Sequence, residues 1–249
     1  MENSVKFLFS GDSALVIEFG NEISVDINKK IRKMMDNIKK ENIDGIVELV
    51  PTYCSLLINY DVLKVDYQSL VEKLKTLLND NNETVEDEEV TLIEIPTLYN
   101  DECGPDLSYV AEYNKLSKEE VIKIHTGTDY LVYMLGFMPG FTYLGGMSEK
   151  IATPRLESPR LQIYPGSVGI AGKQTGMYPS MSPGGWRIIG RTPLKLYNPD
   201  SETPVYISSG DYIRYVSISE EEYNNILKKV ENNEYKLNIH KVKRGELNA

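Results

Sequence analysis

The sequence predicts two parts of different class: an α+β sandwich of ferredoxin-like type over residues 1–90, and a mainly-β barrel or sandwich over 129–249, with a strand and helices over 91–128 connecting them. Three observations carry this. The chain has 249 residues, which suits two ordinary domains better than one. Its first part runs β, β, α, β, β, α. From about residue 129 it turns into many short apolar runs separated by Gly, Pro, Asn and Asp, with no helical period until 219–231.

In the first part, VKFLF (5–9) and ALVIEF (14–19) alternate as strands around a tight turn at Gly11-Asp12-Ser13. Residues 24–41 then place Ile27, Ile31, Met34, Met35 and Ile38 at helical spacing with lysines opposite, which predicts a helix facing a core. GIVELV (45–50) and SLLINY (55–60) repeat the strand signal around Pro51. Asp66 then caps a second helix, on which Tyr67, Leu70, Val71, Leu74, Leu77 and Leu78 share a face. With TLIEIP (91–96) as a following strand, this order fits two helices over one face of a mainly antiparallel sheet. NDNNETVEDEEV (79–90) is polar and acidic and reads as a loop or boundary.

Gly104-Pro105-Asp106 begins a helix over 106–115, and Ser117-Lys118-Glu119-Glu120 is a capping box for the next. In the second half DYLVYML, LQIYP, SVGIAG, WRIIG, LKLYN, PVYIS and DYIRYV are strand candidates. Four glycine- and proline-rich segments read as loops carrying polar side chains: GFMPGFTYLGG (136–146), TPRLESPR (153–160), GKQTGMYP (172–179) and SPGGWRIIGRTP (182–193).

Composition excludes several functions. A net charge of −10 argues against nucleic-acid binding, which wants clustered positive charge. The chain has no apolar run approaching a membrane span and no signal-like N-terminus, so a cytoplasmic protein without a membrane partner is expected. Cys54 and Cys103 read as free thiols. With His125 and His240 as the only histidines, no metal site is expected. GIAGKQTG departs from the GxxxxGK[ST] phosphate loop at Ser167 and Gln174, and no GxSxG elbow occurs.

What is left is the chemistry of the loops. Arg155, Arg160, Arg187 and Arg191 offer planar donors suited to carboxylate or phosphate, and Gln174 can both donate and accept toward an amide. Surface ion pairs with acids such as Glu157 are the competing reading for the arginines, and a core role is the competing reading for Trp186. His125, at the end of a helical stretch, is either a capping cation or a proton carrier and substrate donor.

The run from GFMPGFTYLGG through TPRLESPR, GSVGIAGKQTGMYP and SPGGWRIIGRTP closely resembles the family that comprises the 5-oxoprolinase B subunit, allophanate hydrolase subunit 1 and the sporulation-kinase inhibitor KipI. GDSALVIEFG, ELVPTYCSLLINYD and GPDLSYVAEYNKLS are similar to the same family's N-terminal landmarks, so the resemblance covers nearly the whole chain. It implies an N-terminal ferredoxin-like α+β domain, a C-terminal cyclophilin-like β-barrel, and glycine-rich loops lining a barrel-side pocket. It also implies a component working with the A and C subunits of 5-oxoprolinase in ATP-dependent opening of 5-oxo-L-proline to L-glutamate. Alternatively, it implies a KipI-like inhibitor of a sensor histidine kinase, or a carboxyltransferase component of a urea carboxylase-like system that uses biotin. Which member of the complex binds ATP is left open. Carried onto this sequence, His125 and Gln174 are the expected catalytic residues, and Arg155, Arg160 and Gln174 the expected substrate-binding ones. Prolyl isomerisation is not expected, because a fold does not carry its function with it.

Overall fold

The computed structural model describes residues 5–78 and 89–248, and the chain divides into two compact units, Met1–Val85 and Glu86–Ala249. The first contains β1 (Lys6–Phe9), β2 (Ala14–Glu18), α1 (Val25–Glu41), β3 (Ile46–Pro51), β4 (Ser55–Tyr60) and α2 (Tyr67–Leu78). Its four strands form one antiparallel sheet in the order β1-β2-β4-β3. Alternation decides which face is covered: Leu15 and Ile17 of β2 and Leu56 and Ile58 of β4 point the same way and are buried with Ile31, Met34 and Ile38 of α1 and Leu70 and Leu74 of α2. Ser24 caps α1 by accepting from the Asp26 amide, and Asn42 ends it in the left-handed region at φ 47°.

The strand after α2, β5 (Glu89–Thr97), joins the second unit rather than completing a βαββαβ order in the first. The acidic stretch 79–90 lies outside the described residues, save that Glu89 and Val90 begin β5.

The second unit continues with α3 (Leu107–Tyr113), α4 (Lys118–Thr126), β6 (Asp129–Leu135), β7 (Thr142–Gly145), β8 (Arg160–Ile163), β9 (Ser167–Ala171), β10 (Gln174–Met177), β11 (Ser182–Gly184), β12 (Arg187–Arg191), β13 (Tyr212–Ser217), α5 (Glu220–Glu231) and β14 (Ile239–Lys243). The barrel expected here is not closed among the described residues. The strands form a five-stranded sheet, β14-β5-β13-β6-β7, a three-stranded sheet, β10-β9-β12, and the pair β11-β8. LKLYN and PVYIS are not strands; Pro193, Pro199 and Pro204 in and around them remove amide donors that a ladder would need. Leu194, Leu196 and Ile207 still bury their side chains in the core.

β5, α3 and α4, expected as a connection, are built into this unit. Ile93, Ile95, Leu107, Val110 and Val121 share one core with Tyr130, Val132, Val168, Ile170 and Ile213. The capping box at Ser117 forms as its sequence predicts, with the Ser117 hydroxyl accepting from the Glu120 amide and Glu120 accepting from the Ser117 amide. No helix of the described residues is long and apolar enough to cross a membrane.

Candidate functional site

The β10-β9-β12 sheet has two apolar faces, and strand parity sorts the candidate residues between them. On one face Val168, Ile170, Met177 and Ile189 enter the main core. On the other, Ala171, Tyr178, Trp186 and Ile188 pack with Phe141 and Ile163 in a second cluster. Thr175 is paired with Ile170, and Gln174 with Ala171. Thr175 therefore faces the main core, and Gln174 the aromatic cluster.

His125 lies on the main-core side and is fully buried. Thr175 gives its single hydroxyl proton to the Gly169 carbonyl at 3.1 Å, so at 2.8 Å it accepts from the His125 Nε2–H. The Nδ1 then accepts from the Tyr99 hydroxyl, also at 2.8 Å, and the Tyr130 hydroxyl donates to the His125 carbonyl. Tyr99, Tyr130 and Tyr215 surround the ring. Burial lowers its pKa to about 3, so the imidazole is neutral and both nitrogens are occupied.

Arg155, Arg160 and Trp186 meet at the aromatic cluster. The Arg155 guanidinium lies 5.9 Å from the Trp186 ring. Arg160 donates from Nη2 to Asp106 Oδ1 at 2.9 Å and from Nη1 to the Trp186 carbonyl at 3.4 Å. Its acid is thus Asp106 and not Glu157. Burial pushes the Tyr178 hydroxyl up to about 12 despite the nearby Arg155 and Arg160, which leaves it a proton donor at neutral pH.

The glycines of this stretch make room for rings. A Cβ on Gly176 would come within 3.2 Å of the Trp186 ring and 3.1 Å of the Thr142 carbonyl, and one on Gly184 would collide with the Tyr178 hydroxyl. The segment resembling a phosphate loop is the β9–β10 hairpin, with Lys173 beside Gly172 paired to Glu149. It is not a strand-to-helix loop, so it forms no phosphate cradle of that type. Two clefts of about 210 and 410 Å³ lie between α5 and the segment around Leu194 and Lys195; Arg155, Arg160 and Arg187 line neither, and the larger is lined by Thr192, next to Arg191, and by Tyr223.

A carboxyltransferase domain family, described as subdomain C and D, matches residues 5–207. The 5-oxoprolinase B subunit of Bacillus subtilis (strain 168) is 46% identical over 222 residues, covering 86% of this chain and 92% of its own length. The chain belongs to the family of 5-oxoprolinase B subunits, built on carboxyltransferase subdomains C and D. The crystal structure of a conserved uncharacterized protein, PH0987, from Pyrococcus horikoshii is also similar to it, at 50% identity and a TM-score of 0.52, over 88% of this chain and all of that one. At 19% identity the urea amidolyase of K. lactis shares the fold, with a TM-score of 0.79 over 96% of this chain and 16% of its own.

In this family member the structure gathers Arg155, Arg160 and Gln174 on one side of a sheet and leaves His125 on the other. Sequence reasoning passed over Asp106, Tyr178 and Tyr109, whose ring lies 3.7 Å from the Arg187 guanidinium, as components of the candidate site. Asp106 begins α3 but makes no side-chain cap bond, since its two oxygens serve Arg160 and the Ile188 amide.

Proposed function

We propose that this chain is the non-autonomous substrate-binding part of an ATP-dependent 5-oxoprolinase that acts with the A and C subunits to open 5-oxo-L-proline to L-glutamate. In this reading the first unit is the ferredoxin-like part and the second the cyclophilin-like part, opened into three sheets, and the complex works in the cytoplasm. The observation that supports it most directly is the placement of two guanidiniums and one carboxamide around a buried aromatic floor. An arginine there pairs with the ligand carboxylate. The Gln174 amide donates to the lactam carbonyl and accepts from the lactam N–H, which one carboxamide can do at once. His125 acts indirectly, by holding Thr175 and so the strand that carries Gln174. ATP is consumed by the complex, and no phosphate loop assigns its binding to this chain.

Membership in a carboxyltransferase domain family favours a second reading, a carboxyltransferase component acting on a urea-like amide. A KipI-like inhibitor of a sensor histidine kinase is the third, decided by which partner the chain binds. Purified chain, with and without the A and C subunits, tests the first reading by glutamate release from 5-oxoproline and ATP. Release is expected only from the three together, with Gln174→Ala impaired and correctly folded. Robust release by the chain alone, or full activity of the reconstituted Gln174→Ala complex, refutes it.

A further inference from the structure

Asp106 is buried and pairs with two arginines, Arg160 and Arg187. Its Oδ2 accepts from the Ile188 amide at 2.7 Å. Its Oδ1 takes Arg160 Nη2 at 2.9 Å and faces Arg187 Nη1 at 3.8 Å. Arg187 is pinned twice more: its guanidinium lies 3.7 Å from the Tyr109 ring centroid, and its Nε donates to the Pro154 carbonyl at 3.3 Å. Pro154 is the residue before Arg155. On the other side of Arg155, the Leu156 amide donates to the Gly185 carbonyl at 2.8 Å.

One carboxylate thus neutralises part of the charge of two guanidiniums and, through Arg187, fixes the backbone beside the third. Arg155 itself is exposed, and among the described residues no carboxylate lies within ion-pair distance of it. Arg160 and Arg187 have their donors turned to the protein, and Arg155 does not.

We propose that Asp106 is a positioning residue that divides the labour of the three arginines, fixing Arg160 and Arg187 as a rigid cationic frame and aiming Arg155 as the arm that grips the substrate carboxylate. This rests on the 5-oxoproline reading above. A purely structural Asp106 lowers stability without changing which ligands are preferred. A positioning Asp106 alters the discrimination between a carboxylate and its neutral carboxamide, because that difference is read by the aimed guanidinium.

The test is steady-state turnover by the reconstituted complex of 5-oxo-L-proline and of 5-oxo-L-prolinamide, with melting temperatures on the same preparations. Arg155→Gln is expected to lower the acid-over-amide preference in kcat/KM by roughly 10- to 150-fold, the range set by losing one charge-assisted hydrogen bond. The loss falls on KM for the acid. Asp106→Asn and Arg187→Lys are expected to lower the same preference by about 5-fold or more, and neither adds to Arg155→Gln in the double variant, because both act through it. Arg187→Lys keeps the charge and loses the stacked fork, so it carries the test if Asp106→Asn does not fold. An unchanged acid preference in folded Asp106→Asn or Arg187→Lys, full additivity in the double variants, or an Arg155→Gln enzyme that discriminates like the wild type overturns the inference and leaves the functional reading standing. Absence of 5-oxoproline turnover by the wild-type complex overturns that reading, and the inference with it.

Discussion

Trp186→Ala isolates the packing part of the proposed site from the part proposed to bind. The ring is 6% exposed and stands edge-on to Phe141 at 5.6 Å and 87° and to Tyr178 at 6.3 Å and 83°. Truncating a buried tryptophan costs about 3–5 kcal/mol, within which each aromatic pair accounts for roughly 0.5–1.5 kcal/mol. The low end applies here, because the cluster holds six buried residues and its rim lies under exposed Arg155. A loss of about 3 kcal/mol in a unit the size of Glu86–Ala249 lowers its melting temperature by about 6–12 °C. Differential scanning calorimetry reads this, with far-UV circular dichroism to confirm a folded variant. Trp186→Phe keeps an edge-on ring and is expected to lose about 1–2 kcal/mol. Trp186 is the chain's only tryptophan, so the wild-type transition is also visible in intrinsic fluorescence. A drop of less than about 2 °C in Trp186→Ala, or equal losses in the Phe and Ala variants, refutes the assignment of this ring to the core.

Two further perturbations test buried ionisable groups in the second unit. Asp129 is bound bidentately by Arg214 at 2.6 and 2.7 Å and also accepts from the Asn248 amide. Asp129→Ala strands a guanidinium whose side chain is only 31% exposed and is expected to cost about 3 kcal/mol, read as a lower urea midpoint at unchanged slope. His125 has its folded pKa depressed to about 3, below the roughly 6.5 of an unfolded histidine. Its unfolded state therefore binds the proton first, and stability falls as pH drops below about 6.5. Between pH 7 and 5.5 the wild type is expected to lose about 1 kcal/mol more than His125→Gln does. Parallel pH curves for the two proteins contradict the buried, neutral imidazole.

Most local signals in the sequence are reproduced, LKLYN and PVYIS being the exceptions. The spacing of Ile27, Ile31, Met34 and Ile38 makes α1, and Ser117 caps α4 within four residues of itself. Alternation in ALVIE predicts β2. Four strands were hidden by composition: β7 and β11, which lie inside glycine- and proline-rich segments read as loops, and β10 and β14. GKQTGMYP looks like a loop because Gly172, Gly176 and Pro179 are turn formers, yet Gln174–Met177 is β10, with Gly176 there to admit the Trp186 ring. IHKVK, over Ile239–Lys243, is a largely exposed edge strand whose lysines carry no apolar pattern. Asp106 was legible only as a helix start. Its partners lie 54 and 82 residues away, and long-range pairing of this kind leaves no mark on the residues beside it.

The division between His125 and Gln174 has a cause no composition argument reaches. Gln174 and Thr175 are neighbours in sequence, and because side chains alternate along β10 they serve opposite faces of one thin sheet. The Thr175 hydroxyl is held in a chain running from Tyr99 through His125 to the Gly169 carbonyl. That chain ties α4 and the segment after β5 to the strand whose neighbouring residue carries the carboxamide. A shift of one residue in the β9–β10 register would put Gln174 into the main core and Thr175 among the arginines, exchanging the two roles. His125 opposes that slip, because its Nε2–H has one buried acceptor, and losing it would leave an unpaired donor in an apolar core, at a cost of about 1–3 kcal/mol. In the proposed site the buried histidine and the exposed arginine thus have different parts: the first fixes which face the amide is on, and the second is the arm proposed to meet the ligand.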